Sequence, residues 1–155
     1  MKLLKIAAVI GVGVGLIVAL VAPIGPLPGF FIGGTLTEPP AEWGKIAEAH
    51  EIELKAPGSL PRVVLIWMAE HGGDLHVLGA KNSGWVTRIG DSAPVEVRIG
   101  ANTYALQASR TTQGWQPVLD AYIAKYTTDY PEIVASMASS AEAADTYAVF
   151  RLHRR

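Results

Sequence analysis

The stretch from Arg62 to Leu78 constrains this chain more than any other. Arg62 to Glu70 reads RVVLIWMAE, a nearly continuous apolar run rich in β-branched residues. Its length and composition predict a strand buried on both faces. His71-Gly72-Gly73-Asp74 follows, and paired glycines beside a charge signal a tight hairpin turn. Leu75 to Leu78 then returns as the second strand.

The residues around this hairpin extend the β pattern. Upstream, Ile52 and Leu54 alternate with acids and begin a short strand. Downstream, Gly79 to Gly84 is a polar, glycine-bounded loop, and Trp85 to Ile89 reads as one helical turn. Val95, Val97 and Ile99 share one face of a third strand, with Glu96 and Arg98 on the other. Gly100-Ala101-Asn102 turns the chain into Thr103 to Arg110, where Tyr104, Leu106 and Ala108 alternate with polar or small residues. Three helices are predicted. Ala41 to His50 follows Pro39-Pro40 and has Trp43, Ile46 and Ala47 on one face. Trp115 to Tyr126 carries Val118, Tyr122 and Tyr126 at a spacing of four. Pro131 to Ser139 starts on a proline suited to a first turn. Thr146 to Leu152 alternates as the closing strand. Short strands with late helices predict a small antiparallel barrel with helical decoration.

The N-terminus has a different character. Lys2 and Lys5 precede an uncharged run from Ile6 to Ile24, ended by Pro23 and Pro26. A helix of about 20 residues matches the ~30 Å hydrocarbon core of a bilayer. Residues 1–25 therefore read as a single, uncleaved membrane anchor. A cleaved signal is the first alternative, although Leu20-Val21-Ala22 is a poor small-x-small site. A buried soluble helix is the second. The two lysines favour a cytoplasmic N-terminus, which puts the domain on the far side of the membrane. Residues 26–40 read as a Pro/Gly linker and 41–155 as one domain.

Composition removes several function classes. The 155-residue chain has no cysteine, so disulfides, thiolate zinc and a cysteine nucleophile are excluded. A net charge of −1 gives no basic field for nucleic acid. The four histidines show no metal-ligand spacing, and no GxxxxGK[ST] string is present. Lys81, Asn82 and Ser83 do offer a cation, an amide and a hydroxyl between glycines. Such a set can hold a phosphate through charge-assisted hydrogen bonds. It is also ordinary turn chemistry. Trp67 and Trp85 could stack on a flat ring or fill the core. Tyr122 and Tyr126 face one way on their helix, as proton donors or as packing.

The segment PRVVLIWMAEHGGDLHVLGAKNSGWVTRIGDSAPVEVRIG, Pro61 to Gly100, runs strand, Gly-Gly hairpin, strand, Lys/Ser/Gly loop, Trp, short helix, Pro-Val strand. It resembles the pyridoxamine-phosphate-oxidase-like split β-barrel superfamily. Within that superfamily it is most similar to the deazaflavin-dependent nitroreductases, which use coenzyme F-420. Asp120 to Tyr126 resembles the same branch. The resemblance implies a six-stranded antiparallel split barrel, a homodimer, and a flavin-type cofactor (coenzyme F-420 or FMN) at the subunit interface. It implies that Arg62 lines the cofactor cleft and that Lys81, Asn82, Ser83 and Trp85 contact the cofactor. It also implies that Tyr122, Tyr126 and Tyr130 lie near the substrate. Two positions differ from the branch. Its basic turn before the first strand is Lys55-Ala56-Pro57-Gly58-Ser59 here, and its Asn-Leu pair after the Trp is Arg88-Ile89.

Two functions follow as expectations. One is a membrane-anchored reductase passing a hydride from a deazaflavin or flavin to a small apolar or aromatic acceptor, with Tyr122 and Tyr126 as catalytic candidates. The other is a cofactor-free split barrel serving as a binding or structural module at the membrane.

Overall fold

A computed structural model describes residues 10–15, 23–24, 27–138 and 146–155. Seven strands form one sheet in the order β1-β6-β5-β2-β3-β4-β7, and a further β6–β7 pairing closes it. The strands are β1 (Thr35–Thr37), β2 (Glu51–Ala56), β3 (Arg62–His71), β4 (Asp74–Ala80), β5 (Ser92–Ile99), β6 (Asn102–Thr111) and β7 (Tyr147–His153). Strands β2 to β7 pair antiparallel throughout, so they make a closed six-stranded barrel. Closure removes the exposed edges that an open sheet of this size would present. Helix α1 (Gly84–Ile89) joins β4 to β5. Helices α2 (Gln116–Tyr126) and α3 (Pro131–Ala138) lie between β6 and β7 in the chain.

Alternation explains the core. Ala93, Val95, Val97 and Ile99 on β5 are buried, and they face inward with Tyr104, Leu106 and Ala108 on β6. Ile52, Leu54, Met68, Leu75, Val77, Phe150 and Leu152 complete the barrel interior. A second cluster lies outside the barrel, where Val118, Tyr122 and Tyr126 of α2 meet Ala69 and Val149. The helix thus covers the outer face of the β3–β4 hairpin.

Some expectations change. Strand β3 is not buried along both faces: Val63, Met68 and Ala69 are buried, while Val64 to Trp67 remain half-exposed. Helix α2 covers only part of the outer side, so the rest of that face stays open. The helix predicted over Ala41 to His50 is a 3-10 turn, Gly44–Glu48. Gly44 has φ +47°, a left-handed geometry that an α-helix beginning at Ala41 could not pass through. The stretch read as a linker pairs with the barrel. Gly29 exchanges two main-chain hydrogen bonds with Val63, each 2.8 Å. β1 lies parallel to β6 at Asn102 to Tyr104, beyond the part of β6 that β7 covers. Thr103, buried, donates to the Gly33 carbonyl at 2.7 Å and fastens this segment.

The predicted anchor, residues 6–24, lies mostly outside the described residues. Residues 10–15 are helical. Among the described residues no helix is long and apolar enough to cross a membrane.

One buried titratable group makes the fold pH-dependent. His76 on β4 is 5% exposed, with Nδ1 3.2 Å from the Asp74 carbonyl oxygen. Burial lowers its pKa from 6.5, so the folded state holds it neutral. The unfolded chain then binds a proton that the folded chain resists. Stability is full above about pH 6.5 and is lost as pH falls through the lowered folded value. Urea midpoints measured from neutral to mildly acidic pH should fall, and His76→Gln should flatten that slope. An unchanged slope in the variant would assign the effect to other groups.

Candidate functional site

Arg62, at the start of β3, and Ser83, just before α1, meet at one corner of the barrel. Ser83 is extended, at φ −70° and ψ 143°, and its carbonyl accepts from the Thr87 N–H at 3.0 Å and the Thr87 hydroxyl at 3.1 Å. Its own hydroxyl makes no cap. Arg62 lies across the backbone of Gly84: a Cβ placed there would be 3.4 Å from its Cζ and 3.5 Å from Nε. Glycine is what lets the guanidinium approach so closely. Arg62 Nε and Ser83 Oγ are both buried and have no hydrogen-bond partner. Such groups normally find partners, because an unpaired buried donor costs about 1–3 kcal/mol. Both orphans lie beside the same glycine.

Arg88 holds this corner in shape. Its Nη1 donates to the Pro57 carbonyl at 3.3 Å and to the Leu60 carbonyl. It thereby ties α1 to the loop that leads into Arg62. The arginine that replaces the expected asparagine is therefore the clamp of the loop whose basic turn is also altered.

The other predicted residues separate. Lys81 and Asn82 are exposed. Lys81 borders a recess it shares with Arg110 and Trp115. Trp85 is 5% exposed and belongs to the barrel core. Its ring centroid is 5.6 Å from that of Phe150, and its edge fills the space left by the missing side chain of Gly79. Helix α1 plugs the end of the barrel with this ring. Trp67 is stacked on Tyr126, 4.3 Å between centroids at 9°.

Tyr122 and Tyr126 also face protein. The Tyr122 hydroxyl is 2.9 Å from the carbonyls of Trp67 and His76. Tyr126 Oη is 2.6 Å from the His50 carbonyl and 2.8 Å from that of Met68, and it accepts the Met68 N–H at 3.1 Å. Burial raises Tyr122 well above the usual phenol range and pushes Tyr126 up to about 12. Both phenols peg α2 to the main chain of β3. Tyr130 is half-buried, with its centroid 4.8 Å from Trp67.

Lys125 has a role that its place in the sequence does not announce. Its Nζ donates to the carbonyls of Ala47, Ala49 and Met68 at 2.7, 2.6 and 2.9 Å. Burial draws its pKa down to about 8. The acceptors come from the 3-10 turn and β3, which no local pattern links to α2. Among the described residues no three His, Asp or Glu side chains gather as a metal site.

A closed six-stranded antiparallel barrel, with a helix packed outside its central hairpin and a Lys/Ser/Gly loop at its end, defines the class. Its fold is a split β-barrel, the architecture that the resemblance implies. Solved structures share this fold, among them the following three. One, provisionally named general stress protein 26, is from Jannaschia sp. CCS1: TM-score 0.54, 10% identity, 72% of this chain and 69% of that one. The haem storage protein HutZ from Vibrio cholerae gives TM-score 0.52 at 12% identity, over 72% of this chain and 86% of that one. The FAD and haem binding protein from Mycobacterium smegmatis gives 0.51 at 14%, over 71% and 63%. No protein-family model matches the sequence, and no curated protein matches it. The likeness is one of fold, shared with proteins named for binding FAD and haem.

Proposed function

We propose that this chain is a split-barrel redox protein that holds the phosphate of a flavin-type cofactor, coenzyme F-420 or FMN, at Arg62 and Ser83. The observation that carries the reading is the pair of unpartnered buried groups, Arg62 Nε and Ser83 Oγ. A guanidinium N–H and a hydroxyl are the donors that a phosphate oxygen accepts from most strongly. Asn82 adds an amide at the same loop. The bound ring would supply the hydride chemistry, and a small apolar or aromatic acceptor would receive the hydride. The chain's own work is to fix the phosphate, through Arg62 clamped by Arg88, and to seal the barrel end behind it with Trp85.

The reading includes a homodimer, with the ring held against the second subunit, since Trp85 of one chain is covered by protein. It also includes a membrane anchor at residues 6–24, with the domain outside the cytoplasm. Leu27, Phe30 and Phe31, exposed directly after that run, support a surface held against lipid. The same covered Trp85 favours a second reading, a cofactor-free binding or structural module.

Titration of purified full-length protein with FMN and with coenzyme F-420, followed by cofactor fluorescence, separates the two. Saturable binding of either cofactor is expected, with a roughly tenfold to hundredfold loss in Arg62→Gln, as befits a charged hydrogen bond worth about 1.5–3 kcal/mol. Absence of binding to both cofactors leaves the module as the function.

A further inference from the structure

A second recess opens on the other side of Lys81, where three strands end together. Lys81 follows β4, Arg110 and Thr111 end β6, Thr112 and Trp115 lead into α2, and Tyr147 opens β7. These six side chains enclose a cavity of about 190 Å³. That exceeds the ~30 Å³ of a water and falls below the ~300 Å³ of a drug-sized site. The volume suits a single-ring molecule.

The lining has one electrical sign. Lys81 and Arg110 are cations, and among the described residues no carboxylate borders the cavity. Arg110 is fixed: Nε and Nη2 donate to the Gly90 carbonyl at 3.1 and 2.8 Å, and the guanidinium lies 4.9 Å from the Phe150 ring centroid. Asp91, at 3.4 Å from Arg110 Nε, is fully exposed and screened by water. Among the described residues Lys81 has no acid partner, and the hydroxyls of Thr111, Thr112 and Tyr147 and the indole N–H of Trp115 make no hydrogen bond to them either. Two aromatic side chains thus stand beside two cations and several donors with no partner among the described residues.

We infer that this cavity binds a small aromatic carboxylate. The carboxylate lies toward Lys81 and Arg110, and the ring lies against Trp115 and Tyr147. A free phosphate would use the cations but leave the aromatic walls empty. An uncharged ring would do the reverse. The site needs no bound cofactor and is independent of the redox reading.

Benzoate is the probe, with benzamide and inorganic phosphate as controls, on full-length protein labelled with nitrogen-15. The indole N–H signals of Trp43, Trp67, Trp85 and Trp115 report the binding, with Trp115→Phe to assign the last. Benzoate should shift the Trp115 signal saturably at ~1–10 mM and leave the other three in place. Lys81→Gln should weaken benzoate at least fivefold and leave the weak response to benzamide unchanged. Arg62→Gln, which disables the proposed phosphate site, should keep the benzoate response. An unmoved Trp115 signal, an equal response to benzamide or to phosphate, or undiminished binding in Lys81→Gln would overturn the inference. The three remaining indole signals verify that each variant is folded.

Discussion

Tyr126→Ala should destabilise the protein by about 4–5 kcal/mol, the upper part of the range for deleting a buried aromatic ring. Tyr126 is 0% exposed, stacks on Trp67 and is hydrogen-bonded to the main chain at both His50 and Met68. Removing the ring opens a void between α2 and β3 and leaves the Met68 N–H without its partner. Tyr126→Phe keeps the ring and loses only the hydroxyl, so about 1–3 kcal/mol is expected. Urea denaturation of the two variants measures both terms. Equal losses in Phe and Ala would mean that the ring packing contributes nothing. The phenol also gives an alkaline signature. Its folded pKa is about 12 against 10.0 unfolded, so the folded state keeps a proton that the unfolded state releases. Stability is full below about pH 10 and is lost as pH rises toward 12. Tyr126→Phe should remove that part of the alkaline loss.

Tyr126 also shows how far the sequence reaches. Its spacing with Val118 and Tyr122 identifies the buried stripe of α2 without any structure. The same holds for β5 and β6, where alternation with antiparallel partners dictates which side chains enter the barrel. What the stripe does not reveal is where the hydroxyls go, since the carbonyls of His50, Trp67, Met68 and His76 are brought there only by the fold. Lys125 escapes reading for the same reason. β1 is missed because three residues in a parallel edge pairing carry no period. Gly44 looks harmless among helix formers, yet its positive φ shortens the predicted helix to a 3-10 turn. At the candidate site, loop chemistry and the resemblance select Ser83 and Arg62. Their lack of partners is a property of burial and appears only in three dimensions. For Trp85, a tryptophan beside a glycine-rich loop reads equally as a ring platform or as a plug. Gly79, six residues earlier on β4, is what leaves room for the buried ring.

Gly79→Ala should therefore damage the site as well as the fold. A Cβ at Gly79 would lie 2.8 Å from Trp85 Cε2 and 2.9 Å from Val86 Cγ2, and closer still to the far edge of the Trp85 ring. Both neighbours belong to α1 and are buried, so neither can move without moving the helix. Overpacking of this kind costs about 1–3 kcal/mol. The displacement passes along α1 to Gly84 and Ser83 at one end and to Arg88, the clamp of the loop before Arg62, at the other. Under the proposed function, cofactor affinity should fall together with stability. A smaller plug makes the argument decisive. Trp85→Leu alone leaves a void and is destabilising, but combined with Gly79→Ala it relieves the overlap. The double variant should be more stable than the sum of the single losses predicts, with a coupling of at least ~1 kcal/mol. Strict additivity would mean that the Gly79–Trp85 contact does not set the position of α1.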